Sequence, residues 1–66
     1  MCEADVYMTV EGKEDMVMSS VDIVEPQNDN VWRLVNIFGE QKTVQGRIQS
    51  MNLVNHKIIF EAPEER

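Results

Sequence analysis

From Ala4 the chain alternates strictly. Ala4, Val6, Met8 and Val10 fall on one face, and Glu3, Asp5, Tyr7 and Thr9 on the other. Period two of this kind predicts a half-buried strand. Glu11-Gly12-Lys13-Glu14 reads as a turn, with Gly12 able to take a positive φ. Apolar residues resume at Met16 to Met18, which predicts a hairpin with the first segment. Val21 to Glu25 reads as a separate short strand, ended by Pro26 and followed by the loop-forming run Gln27-Asn28-Asp29-Asn30.

The densest apolar stretch is Val31 to Phe38, which holds Val31, Trp32, Leu34, Val35, Ile37 and Phe38. It is β-branched and aromatic and lies between turn signals, so it predicts a buried central strand rather than a helix. Gly39-Glu40 makes a tight connection. Lys42 to Gln49 alternates again, and Gly46 inside it predicts a bulge or sharp bend of the sort small barrels need at their corners. Ser50 to Asn55 fits either a turn of helix or the start of the next strand. His56 to Phe60 reads as the last strand, and Ala62 to Arg66 as a polar tail. No segment carries a 3.6-residue period. The pattern therefore predicts one all-β domain over residues 1–66: a small barrel or sandwich of about six short antiparallel strands, SH3-like or Sm-like.

Length changes the picture first. At 66 residues the chain has room for one domain. A domain of this size buries only about 60% of the surface its unfolded chain exposes, and such chains often draw stability from a partner subunit or a metal. A deep cleft between two layers is hard to build at this length, so the expectation is a protein that is not an enzyme. The apolar stretches around Trp32 to Phe38 and Ile58 to Phe60 exceed what so small a barrel buries alone, and an exposed remainder marks an interface.

Charge narrows the partners. Six basic residues face twelve acidic ones, for a formal net charge of −6. Non-specific nucleic-acid affinity rests on clustered Lys and Arg against phosphates. Here Lys13, Arg33, Lys42, Arg47, Lys57 and Arg66 are scattered, which makes nucleic acid and anionic membranes poor partners. A negative field does concentrate cations. No apolar run approaches the roughly 20 residues of a membrane span. The opening Met-Cys-Glu-Ala-Asp has no basic n-region and no apolar h-region. A single cysteine forms no internal disulfide. Together these features predict a cytoplasmic protein with a reduced thiol.

Candidate chemistry reduces to one thiol and one imidazole, Cys2 and His56. No signature of a Cys–His catalytic pair surrounds either, and there is no phosphate loop and no Cys-x-x-Cys. From composition, His56 is a partly exposed strand residue rather than a ligand. Cys2 stands out by position. With Met1 removed, its amine and thiol lie on adjacent carbons and close a five-membered chelate ring on a metal. With Met1 kept, the deprotonated backbone nitrogen of Cys2 plays the same part. Two such pairs, one from each of two subunits, make a planar N2S2 set, which suits Ni(II) or Cu(II) and disfavours tetrahedral zinc.

Three stretches carry a family resemblance. Met1-Cys2-Glu3-Ala4 followed by Val6-Tyr7, then Asn36-Ile37-Phe38-Gly39-Glu40-Gln41-Lys42, then Met51-Asn52-Leu53-Val54-Asn55-His56-Lys57-Ile58 resemble the CooT family. These are small accessory proteins linked to nickel delivery for carbon monoxide dehydrogenase. The Met-Cys opening is shared with hydrogenase-maturation chaperones of the HypC type; its combination with the Phe-Gly-Glu-Gln stretch is far more specific. The resemblance implies a compact β domain, a homodimer, nickel (Ni2+) near the dimer interface with Cys2 as ligand, and a client metalloenzyme. Two alternatives accompany it. One is a small RNA-binding module on the same kind of barrel, which the charge opposes. The other is a hydrogenase-maturation-type assembly chaperone, whose longer Gly-Lys-Val opening strand is absent here.

Overall fold

The computed structural model describes residues 3–63 of the chain. It is all β, with strands β1 (Ala4–Val10), β2 (Lys13–Pro26), β3 (Val31–Asn36), β4 (Gln41–Gln45), β5 (Arg47–Asn52) and β6 (Lys57–Glu61). They form one sheet in the order β4-β3-β2-β1-β6-β5. Neighbours pair antiparallel with one exception: β1 runs parallel to β6, from Asp5 opposite Lys57 to Thr9 opposite Glu61. The expectation of a purely antiparallel sheet is corrected at this pair. Parallel neighbours need a long crossover, and here the whole of β2 to β5 supplies it by circling back to the first strand.

β2 departs from the sequence reading in a second way. Met16 to Met18 and Val21 to Glu25 belong to one strand, interrupted by register shifts and by Ser20 at φ 57°. Residues 13–21 pair with β1 and residues 21–26 with β3. The bulge bends the strand so that one element serves both walls.

The predicted strand 42–49 divides at Gly46 into β4 and β5, which sit at opposite edges of the sheet. A single residue therefore joins the two edges and curls the sheet into a small barrel. Gly46 N–H donates to the Asn30 carbonyl at 2.7 Å, and the Trp32 Nε1–H donates to the Gly46 carbonyl at 2.9 Å. Its φ of +151° belongs to a region open essentially to glycine alone, and a Cβ built there would collide with the Glu61 carbonyl oxygen.

The core consists of Val6, Val21, Leu34, Ile58 and Phe60, with the Trp32 ring edge-on to Phe60 at 5.4 Å. Ile58 and Phe60 are thus buried within the chain itself. The most exposed large apolar side chains lie elsewhere, at Phe38 beside Ile37 just beyond β3 and at Leu53 and Val54 between β5 and β6.

Candidate functional site

Both of those apolar segments are turns pinned by an asparagine. Asn36 is buried, and its side chain makes three hydrogen bonds: Oδ1 accepts from the N–H groups of Phe38 (3.0 Å) and Glu40 (2.9 Å), and Nδ2 donates to Glu40 Oε1 (2.9 Å). This local bonding competes with the ladder and ends β3 at Asn36, short of the expected Phe38. The chain turns there and carries Ile37 and Phe38 outward. Asn52 repeats the device on the β5–β6 side, its Oδ1 accepting from Val54 N–H (3.1 Å) and Asn55 N–H (3.0 Å). The ambiguous segment 50–55 resolves accordingly into the end of β5 and a turn. His56 belongs to that turn rather than to the last strand, with φ 55° and an exposed side chain.

The two turns flank the point where the chain enters β1. Asp5 N–H donates to the His56 carbonyl at 2.8 Å, and Asp5 Oδ1 accepts from Ser20 N–H at 3.2 Å. The Ser20 carbonyl in turn accepts from Ile37 N–H at 2.9 Å. This continuous series of bonds ties the β5–β6 turn, the start of β1, the bend of β2 and the β3–β4 turn into one rim. Glu3 stands in the middle of it. It lines a shallow polar recess of about 320 Å³ with Asp5, Ser20, Asn55 and His56. It also borders an apolar groove of about 280 Å³ whose floor includes Ala4, Val21, Val24 and Ile58, with Leu53 at its edge. A larger open furrow of about 700 Å³ lies at the far end of β1, between Thr9–Gly12 and Glu61–Pro63. It contains no thiol or imidazole, and the rim around Glu3 is the better site on chemical grounds.

Cys2, the predicted ligand, lies outside the described residues. The residue that follows it, Glu3, lines both recesses, as does His56. Among the described residues no group of three or more His, Asp or Glu side chains is gathered to hold a metal ion by itself. His56 is brought to the rim beside Glu3, which the sequence reading of it as an ordinary strand residue missed. The signal in the sequence was the apolar pair Leu53-Val54 breaking the period-two pattern between two asparagines.

Electrostatically the described surface offers no cationic stripe. Arg33 pairs with Glu25 at 2.7 Å, Arg47 with Glu61 at 3.6 Å and Lys57 with Glu14 at 3.5 Å. Lys57 also sits over the Tyr7 ring, and Lys42 Nζ donates to the Val17 carbonyl. No helix is long and apolar enough to cross a membrane among the described residues.

Fold and rim together define a small β-barrel whose chemistry is concentrated where the chain begins its first strand. The comparisons with known proteins agree with the fold. The chain belongs to the CooT family of CO dehydrogenase accessory proteins, whose family description it matches over residues 1–61. It is also similar to the crystal structure of a chain assigned as CooT from Carboxydothermus hydrogenoformans, with 32% identity and a TM-score of 0.86 over 96% of this chain and 100% of that one. No curated protein matches the sequence. The family description points to a role beside a client enzyme.

Proposed function

We propose that the chain is a nickel carrier, a homodimer that binds one Ni(II) ion between two Cys2 residues and passes it to carbon monoxide dehydrogenase or another client metalloenzyme. The observation that supports this best is that the family match begins at residue 1, so that the Met1-Cys2 opening falls inside it. Nickel is the cargo here. Each subunit contributes one thiolate and one adjacent nitrogen, and the pair completes a square-planar N2S2 shell. The thiol must lose its proton to bind, so acid weakens loading. A near-terminal ligand suits delivery, because a client can displace one thiolate at a time. The net charge of −6 raises the local concentration of divalent cations around the rim.

Nickel titration of the purified reduced protein tests the reading. Absorbance should grow in the thiolate-to-metal charge-transfer region and saturate near half an equivalent of nickel per chain. A titration without charge-transfer absorbance would remove the thiolate from the site and the proposal with it.

The same account rejects an RNA-binding role. With Arg33, Arg47 and Lys57 already engaged by carboxylates, the protein should give no salt-sensitive shift of single-stranded RNA at submicromolar concentration. A shift that weakens steeply with added salt would favour the RNA-binding alternative.

A further inference from the structure

We infer, on the reading that the chain serves a client enzyme, that this enzyme docks on the outer face of β2 and β3 and on the Phe38 turn, through an apolar face of its own bordered by Lys and Arg. Side chains alternate along β3. Leu34 and Asn36 are buried, so Arg33 and Val35 belong to the outer face. Ile23 is the β2 partner of Val35. Ile37, whose N–H donates to the Ser20 carbonyl, prolongs the β2–β3 pairing by one residue beyond Asn36. Ile23, Val35 and Ile37 therefore form one apolar row, with Ile23 and Ile37 exposed and Phe38, 74% exposed, at its end. The Asn36 bonds hold the backbone of the Phe38 turn in place before any partner arrives. A preorganised aromatic side chain is a favourable anchor at an interface.

Charge points to the occupant. Asp22 adjoins Ile23, Glu25 follows two residues on along the same face, and Glu40 closes the Phe38 turn. Against them stands Arg33, held by Glu25 at 2.7 Å and by Gln41 at 3.2 Å. Lys42 is opposite Leu34, on the core-side face of β4, and donates to the Val17 carbonyl. The border of the apolar row is thus acidic. A second copy is a poor occupant, because a twofold contact of this patch with itself sets these carboxylates against their own counterparts. Anionic lipid and nucleic acid are repelled for the same reason. A protein face with an apolar centre and a basic border is complementary to both parts of the patch.

Binding of purified nickel-free carbon monoxide dehydrogenase to the full, reduced chain, followed by biolayer interferometry, tests the contact. Wild type is compared with Phe38→Ser, with Ile23→Thr and with Met16→Ser. Met16 is an exposed apolar residue opposite Tyr7, on the half of β2 that pairs with β1, and serves as the control. Wild type and Met16→Ser should bind alike, and more weakly as salt is raised from about 50 mM to about 300 mM. Phe38→Ser should raise the dissociation constant about 10-fold or more, and Ile23→Thr by a smaller factor, both with the far-UV circular dichroism of wild type. A wild-type chain that does not bind the enzyme, or a Phe38→Ser chain that binds as wild type does, would overturn the inference. So would loss of the wild-type oligomeric state in Phe38→Ser by light scattering, which would assign the patch to a second copy. Binding that follows the expected pattern in a chain that takes up no nickel would uphold the contact and remove the carrier reading.

Discussion

Replacing Cys2 with serine is expected to abolish nickel binding and leave the barrel intact. A serine hydroxyl does not ionise near neutral pH, so the substitution removes the only sulfur donor besides the methionine thioethers. Changes to groups that merely support a metal ligand cost about 10- to 100-fold in affinity. Loss of the ligand itself should exceed about 100-fold, and the charge-transfer absorbance should vanish. The core lies in Val6, Val21, Leu34, Ile58 and Phe60, so far-UV circular dichroism and the thermal midpoint should match wild type. Unchanged nickel affinity in the folded variant would show that the metal is held elsewhere.

The second large effect concerns the barrel itself. Gly46→Ala is expected to destabilise the protein by about 3 kcal/mol or more, since it combines a forbidden backbone conformation with a collision against backbone. The Glu61 carbonyl cannot swing aside as a side chain would, because β6 holds it between β1 and β5. For a domain of this size, about 1 kcal/mol corresponds to roughly 4–8 °C in thermal midpoint, so a fall of about 12 °C or more is expected. Gly12→Ala is the comparison. Gly12 has φ +81° in the β1–β2 turn and nothing within 4 Å of a new Cβ, so only the left-handed conformation, worth about 1–2 kcal/mol, is charged against it. Thermal unfolding followed by circular dichroism should separate the two clearly. Equal midpoints would mean that Gly46 is not the closing corner.

These two residues also mark what the sequence could convey. Gly46 was legible as a bend because a glycine inside an alternating run has few other uses; that the bend joins the two edges of the sheet was not, since edge positions depend on pairing partners far along the chain. The parallel partnership of β1 and β6 was hidden for a related reason. Side chains alternate with period two in either kind of pair, so the pattern carries no sign of direction. Met16 to Met18 and Val21 to Glu25 read as separate strands, and Ser19-Ser20 between them is instead a bend inside β2, because a bulge tolerates polar residues while the ladder continues on both sides.

At the rim the failure is more instructive. Apolar density in Val31 to Phe38 predicted burial throughout, and Leu34 obeys while Phe38 does not. The deciding residue is Asn36, a buried polar side chain whose three hydrogen bonds turn the backbone outward. Cys2 is proposed from its position in the sequence and from the family resemblance. No spacing of ligands within the chain would have revealed it, because the proposed donor set is completed by a second copy.

Native mass spectrometry of the nickel-loaded protein tests the central claim most directly. Sprayed from a volatile buffer after removal of excess metal, the protein should give two chains with one nickel ion, and the Cys2→Ser protein should carry none. A dominant species of one chain with one nickel ion, or a dimer holding two, would contradict the shared site.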